Sequence, residues 1–123
     1  MNQTNKTFDL EERTAKFGEN VIKLCSEIKP SAINNPLINQ TIRSATSIGA
    51  NYMEANGASS KADFANKIFL CKKESQETKY WLRMLLSCNL EKNEEIQLLW
   101  KECQELVLIF QKITSSLRSK SGV

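Results

Sequence analysis

The stretch NQTIRSATSIGANYMEANGASSK, residues 39–61, combines a helical period with very little side-chain bulk. Together with Ile38 just before it, the stretch places apolar and small residues at alternating steps of four and three, which keeps one face of a helix turned toward a neighbour; they are Ile38, Ile42, Ala45, Gly49 and Tyr52. Other small residues occupy the adjacent faces: Ser44, Ser47, Ala50 and Ala55. Because a glycine inside a helix costs about 1 kcal/mol relative to alanine, we expect a neighbouring backbone to pack closely against this segment.

The same period recurs in three further segments, whose core-facing rows we call seams. The seam residues are Phe17, Val21, Leu24 and Ile28 in the first helix; Phe64, Ile68, Cys71, Ser75, Thr78, Leu82 and Leu85 in the third; and Ile96, Leu99, Cys103, Leu106, Phe110, Ile113 and Leu117 in the fourth. The repeat predicts four helices at about 9–29, 36–56, 61–88 and 93–118. Short connections favour antiparallel neighbours. The predicted fold is therefore all-α, an antiparallel up-down-up-down four-helix bundle that forms a single domain over residues 1–123.

The predicted helix ends rest on proline and on polar capping residues. Pro30 disfavours helix in the residue before it, which ends the first helix near Lys29. Asn35 is expected to cap the second helix and Asn93 the fourth. Ser60 is expected to cap the third helix, with Asp63 three residues on as in a capping box.

The seams do not account for all the apolar residues. Those off the seams are Ile48, Met53, Phe69, Leu70, Trp81, Met84, Leu86, Leu98, Trp100, Val107, Leu108 and Ile109. A helix that is apolar over more than one face is usually buried on more than one side. We therefore expect a second contact surface, between subunits of a homo-oligomer or with a protein partner.

Composition argues against an enzyme and against a membrane protein. The 123 residues include no histidine, which removes the usual general base and the commonest metal ligand. No glycine-rich phosphate loop is present, and no apolar run approaches the ~20 residues of a membrane span. The N-terminal segment is polar and acidic, unlike a secretory signal. We expect a non-enzymatic cytoplasmic protein without a cofactor.

Neither the cysteines nor the glutamates predict a metal centre. The four cysteines form no C-x-x-C pair, and we interpret them as reduced residues that behave as small buried hydrophobes. Glu74 and Glu77 are spaced as in di-metal bundles, but they lack the accompanying histidine and flank the seam. An ion pair of Lys73 with Glu77 on the surface is expected instead. Ser75 and Thr78 put hydroxyls into the core, where they can bond to carbonyls of their own helix.

The net charge of +3 is concentrated in one segment. Residues 61–88 carry six basic residues against three acidic ones. Lys72, Gln76, Lys79 and Arg83 step by four and three along one face, with Lys73 beside them. Cations at this spacing can follow a phosphate backbone, and the alternative is an ordinary solvated face.

The segments RSATSIGANYMEANGASSKADF and CKKESQETKYWLRMLL, within residues 37–88, resemble the four-helix-bundle proteins encoded in intervening sequences of bacterial 23S rRNA genes, the S23-type family. Arg43, Asn51, Glu54 and Ser60 match the motif of that family. Asn51 and Glu54 share one face of the second helix, so we expect them to bind partners such as Arg43 or a lysine of another helix. Gly49 stands where proline is common, and Ile42 where a second arginine is common.

The resemblance implies a ring-like homopentamer for which nucleic-acid binding is suspected. It also implies an alternative, since a related bundle is an accessory protein to reverse transcriptases. The loop positions Ala58 and Ser59 lack the basic residues that are frequent in the family. We therefore place the predicted RNA contacts on the third helix, at Lys72, Lys73, Lys79 and Arg83.

Overall fold

A computed structural model describes the backbone of residues 6–120 and the side chains of residues 10–119. It contains four long α-helices: α1 (Lys6–Ser26), α2 (Asn34–Asn56), α3 (Lys61–Cys88) and α4 (Asn93–Lys120). A single 3₁₀ turn, Leu90–Lys92, connects α3 to α4. The prediction of an all-α four-helix bundle is confirmed. The extreme ends of the predicted domain lie outside the described residues.

Contacts between helices show that each helix runs antiparallel to its neighbours. Along the α2–α3 interface, Ser44 meets Thr78, the Ile48 carbonyl meets Cys71, and Glu54 meets Lys67. The partner number falls as the residue number rises, as in an antiparallel pair. The α1–α4 interface behaves in the same way, with Arg13 bound to Glu102 and Glu27 bound to Lys92. α2 and α3 share the most extensive contact, and α1 and α4 the least extensive one between helix neighbours.

The end of α1 and the start of α2 differ from the prediction. α1 ends at Ser26, three residues early, because Glu27 and Ile28 bond to carbonyls three residues back and tighten the last turn. The prediction that Asn35 caps α2 is wrong. Ser31 accepts a hydrogen bond from the Asn34 amide at 2.9 Å, and the Asn35 side chain accepts one from the Ser31 amide at 3.3 Å. The helix thus starts at Asn34, one turn after a serine that performs the capping.

The predicted N-terminal cap is confirmed for α3 and is wrong for α4. The Ser60 hydroxyl accepts a hydrogen bond from the Asp63 amide at 3.0 Å, which confirms the predicted cap of α3. The Asp63 carboxylate bonds back to the amide of Ser59. Asn93 was predicted to cap α4, but it already has helical dihedral angles because the 3₁₀ turn runs directly into the helix.

The core follows the predicted seams closely. The predicted seam residues of the first helix are all buried. In α3 the seam residues from Ile68 to Leu85 are buried, and in α4 the buried ones are Ile96, Cys103, Leu106 and Phe110. In α2 the buried face is rotated, because Thr41, Ser44 and Ile48 are buried while Ile42 and Gly49 are only half-buried. Ile48 and Val107, which were assigned to the apolar surplus, belong to the core.

The small residues of α2 let α1 approach closely. A Cβ on Gly49 would lie 3.4 Å from Oγ1 of Thr14, and a Cβ on Gly18 would lie 3.9 Å from the Ala45 carbonyl oxygen. These are ordinary van der Waals distances, so each site has room for a methyl group and for little more. Ser44, Ala45 and Ala55 are buried, whereas Ala50 is exposed and takes no part in this contact.

Two polar clusters are buried in the bundle. The hydroxyls of Ser75 and Thr78 each donate to the carbonyl four residues back at 2.8 Å, as predicted, and Thr78 also lies 2.9 Å from the Ser44 hydroxyl. At one end of the bundle, Asn34 and Asn89 exchange side-chain hydrogen bonds of 2.9 and 3.3 Å. Their remaining donors bind the carbonyls of Lys29 and Leu85. This pair ties the α1–α2 connection to the end of α3.

Candidate nucleic-acid interface

The predicted cations of α3 fall on two different strips of the helix surface. Lys72, Lys79 and Arg83 are spaced by seven and four residues, so at 100° per residue they lie within about 40° of each other. We call this strip, which faces the side of α4, the α3–α4 flank. Lys73 lies about 100° away from Lys72 and is exposed on the outer surface of α3. The four predicted residues therefore form a row of three with one outlier.

Lys79 occupies the middle of the α3–α4 flank and is fixed by α4. Its ammonium donates a hydrogen bond to Oε1 of Gln104 and lies 4.7 Å from the ring centroid of Trp100. A cation over an indole face is attracted by the ring quadrupole. The side chain is half-buried, so the ammonium is held in place while part of it still faces solvent.

Arg83 and Lys72 extend the row toward the two ends of the flank. Arg83 is exposed and borders a cleft of about 230 Å³ between α3 and α4, together with Leu82, Leu86, Ile96, Gln97 and Trp100. The ammonium of Lys72 lies 5.8 Å from the ring of Phe69, which is 50% exposed. Aromatic rings thus accompany the cations at both ends of the row.

The carboxylates of α3 are engaged on the opposite flank. Glu74 and Glu77 both bind Arg43 of α2, and Glu77 also accepts a hydrogen bond from Nε1 of Trp81. The predicted pair of Lys73 with Glu77 is therefore wrong, because the arginine of α2 takes the carboxylate. None of Lys72, Lys73, Lys79 and Arg83 forms an ion pair among the described side chains. Their positive charge is left uncompensated at short range.

Two of the glutamates of α4 are engaged on the side of that helix that faces α1. Glu102 and Glu105 both bind Arg13 of α1, at 2.6 and 2.5 Å. The hydrogen bond to Glu102 is the main reason that the pKa of Arg13 is raised. A larger groove of about 480 Å³ lies between α1 and α4, but its arginine is already occupied by these carboxylates. The α3–α4 flank carries three cations in a row, and none of them has an ion-pair partner among the described side chains.

The motif residues of α2 have structural partners. Arg43 joins α2 to α3 through the two glutamates, and Asn51 donates to the Ser47 carbonyl of its own helix at 2.9 Å. Glu54 binds Lys67 of α3 at 2.8 Å, which confirms the expected lysine partner and raises the pKa of Lys67. With Gly49 against Thr14 and Ser60 at the start of α3, these residues help to position the helices.

The buried thiols are poor nucleophiles. Cys25, Cys71 and Cys103 are buried as predicted, but the prediction is wrong for Cys88, which is exposed at the C-terminal end of α3. Loss of hydration raises the pKa of Cys25 to about 11 and those of Cys71 and Cys103 to about 12. Because the thiolate is the reactive form, these three side chains stay protonated at neutral pH. The part of the chain that the structure describes holds no cluster of potential metal ligands.

Sequence reasoning missed the contribution of α4 to the flank. The sequence pattern assigns Trp100 only to the apolar surplus and predicts no role for Gln97 and Gln104. Their spacing of three and four residues places them on one face of α4, and that pattern would have pointed to a shared surface.

Among the described residues, no helix is long and apolar enough to cross a membrane.

Comparison with known proteins identifies the relatives of this fold. A family model described as 23S rRNA-intervening sequence protein matches residues 6–112. The crystal structure of a protein of unknown function from the S23 ribosomal protein family of Bacteroides thetaiotaomicron VPI-5482 is similar, with a TM-score of 0.75 and 30% identity. The match covers 85% of this chain and 96% of that one. No curated protein matches the chain significantly.

Proposed function

The chain belongs to the family of 23S rRNA-intervening sequence proteins, and from that premise we propose that it is a non-enzymatic bundle that binds RNA through the α3–α4 flank. The observation that carries the proposal is the row of Lys72, Lys79 and Arg83, none of which is ion-paired among the described side chains. Phosphate groups are the natural partners of such a row, because binding to them releases condensed counterions.

The neighbours of the row support an RNA ligand over a simple solvated face. Lysines on a solvated face usually extend freely into water, whereas Lys79 is held by Gln104 and Trp100. Phe69 and Tyr80 are about half exposed on the same helix, and exposed aromatic rings are platforms for bases. Lys73 adds a further cation on the outer strip of α3, where its contribution is expected to be smaller.

We propose in addition that the protein acts as a homo-oligomer, with the pentamer that the family resemblance implies. Large apolar side chains remain exposed in the single chain, among them Met53, Leu98 and Leu108. An oligomer repeats the α3–α4 flank around a symmetry axis, so the positive fields of its copies add. A protein partner, such as a nucleic-acid enzyme that uses this bundle as an accessory subunit, is the second candidate supported by the same apolar side chains.

The proposed role is binding without catalysis. The chain has no histidine, and the three buried thiols are protonated at neutral pH. The described residues include no metal-ligand cluster. Binding and assembly are the roles that this set of side chains supports best.

The proposal is tested by the affinity of the purified protein for labelled RNA. The variant Lys72→Ala/Lys79→Ala/Arg83→Ala is compared with a control that removes the same charge elsewhere, Lys16→Ala/Lys23→Ala/Lys112→Ala, whose three lysines are exposed on α1 and α4. We expect the flank variant to bind at least tenfold more weakly than the control. Equal affinity of the two variants would show that net charge, and not the flank, attracts the RNA.

A further inference from the structure

Resting on the proposed RNA-binding function, we propose that the cleft between α3 and α4 receives one unpaired nucleobase, so that the protein binds single-stranded RNA in preference to duplex RNA. The site consists of the indole of Trp100, the apolar floor of the cleft, the amide of Gln97, and the cations Lys79 and Arg83.

The size and lining of the cleft suit a flat ring. Its volume of about 230 Å³ lies below the range of roughly 300–1,000 Å³ that is typical of drug-sized ligands. Leu86 and Trp100 are half-buried and form an apolar floor, with Leu82 and Ile96 fully buried beneath it. A planar aromatic group matches this volume and can contact the part of the indole that lines the cleft, beside the Lys79 ammonium.

The polar groups of the cleft match the rest of a nucleotide. Gln97 is exposed at its edge, and its primary amide can both donate to and accept from the edge of a base. Lys79 lies over the ring of Trp100, and Arg83 borders the same cleft. A base held against the indole therefore has two cations beside it, where they can bind the adjoining phosphates.

Single-stranded RNA is the form that can fill this site. In an A-form duplex the bases are stacked on each other, and the major groove is too deep and narrow for side chains to read. An acidic peptide would satisfy Lys79 and Arg83 as well as RNA does, but it would offer no planar ring to Trp100 and the apolar floor. An indole beside two cations that form no ion pair therefore favours a nucleotide with an accessible base.

The test compares oligouridine with an RNA duplex of equal phosphate number. The variant Trp100→Leu keeps apolar bulk and removes the flat ring. The control Trp81→Leu changes the other tryptophan, which faces the α2 side of α3 and bonds to Glu77. The urea midpoints of both variants confirm that they are folded. In the background Trp81→Phe, the emission of Trp100 reports directly on whether oligouridine reaches the indole.

We expect oligouridine to bind more tightly than the duplex and to quench Trp100. The variant Trp100→Leu should weaken oligouridine binding about five- to hundredfold, the usual effect of losing one base-stacking ring, and leave duplex binding unchanged. Equal loss for both RNAs, unchanged binding of oligouridine, or equal competition by polyglutamate would each overturn the cleft assignment. If the wild-type protein binds neither RNA, the proposed function itself fails; if only the flank variant loses binding, the cleft proposal alone is wrong.

Discussion

At the scale of single residues, the fold depends on a few buried polar side chains that all have partners. Asn34 and Asn89 satisfy each other and two backbone carbonyls, and Ser44, Ser75 and Thr78 bond to one another or to their own helices. A buried polar group costs little when it is paired and much when its partner is removed. These side chains therefore act as specific joints between helices.

The asparagine pair gives the first prediction. The variant Asn89→Ala removes a partner of the buried Asn34 amide and leaves the Leu85 carbonyl without its side-chain donor. We expect the free energy of unfolding to fall by about 2–3 kcal/mol, measured by urea denaturation. Asn39→Ala, at an exposed position of α2, is the control and should change it by less than about 0.5 kcal/mol. A loss at Asn89 no larger than that of the control would contradict the pairing.

The cysteines give a prediction of chemical reactivity. Of the four thiols, only Cys88 is exposed, and burial raises the pKa of the other three. We expect a thiol reagent to modify one cysteine rapidly in the native protein and all four after unfolding. The variant Cys88→Ser should abolish the rapid reaction. Rapid modification of a second thiol would show that α1, α3 or α4 opens more readily than this packing implies.

At the scale of elements, the helices associate through faces that differ in bulk. Small residues bring α1 and α2 together at Gly18 and Gly49, whereas α3 and α4 meet through larger seam residues. Ion pairs then mark the edges of the interfaces, with Arg43 between α2 and α3 and Arg13 between α1 and α4. Exposed pairs of this kind contribute at most about 1 kcal/mol each, so we attribute most of the stability to the packed faces.

Substitutions at Gly49 test the close approach of α1. A methyl group fits at 3.4 Å from Thr14, so Gly49→Ala should be neutral or stabilise the protein by up to about 1 kcal/mol through helix propensity. Gly49→Leu should destabilise it by about 1–3 kcal/mol through overpacking. Ala50→Leu is the matched control, because Ala50 is exposed. Thermal denaturation measures all three, and equal stability of the two leucine variants would refute the close packing of α1 on α2.

Helix positions and most of the core could be predicted from the sequence, because a regular period reports which residues face inward. The rotation of the α2 seam could not, because its interface residues are small and polar: Thr41 and Ser44 are buried where bulk would have suggested Ile42. The helix starts at Asn34 and Asn93 depend on tight turns that single residue preferences do not fix. The cations of the candidate site could be predicted, because they share one face of α3. Their aromatic and amide partners could not, because these lie on α4, about twenty residues further along the chain.

At the scale of the whole molecule, the bundle separates its charges. Arg13 binds two glutamates at the α1–α4 interface, and Arg43 binds two at the α2–α3 interface. The excess of three positive charges lies in residues 61–88, where Lys72, Lys79 and Arg83 line the α3–α4 flank without an ion-pair partner among the described side chains. The proposed RNA binding therefore depends on where the cations lie as well as on the total charge.

Assembly is predicted from the apolar residues that one chain leaves exposed. Light scattering in solution should give a mass that is a multiple of 14.0 kDa, with the pentamer as the expected species. The apolar side chains Met53, Leu98 and Leu108 are exposed in the single chain and would gain burial in such an assembly. A monodisperse species of 14.0 kDa would contradict the proposed homo-oligomer.

The most direct test of RNA binding by the α3–α4 flank is the salt dependence of the affinity. For a single strand, the logarithm of the binding constant falls against the logarithm of the salt concentration with a slope of about −0.7 per phosphate contact. We predict that replacing Lys72, Lys79 and Arg83 by alanine makes this slope shallower by about 2 per chain engaged, while the control at Lys16, Lys23 and Lys112 keeps the wild-type slope. Identical slopes for the wild type and the flank variant would contradict the account.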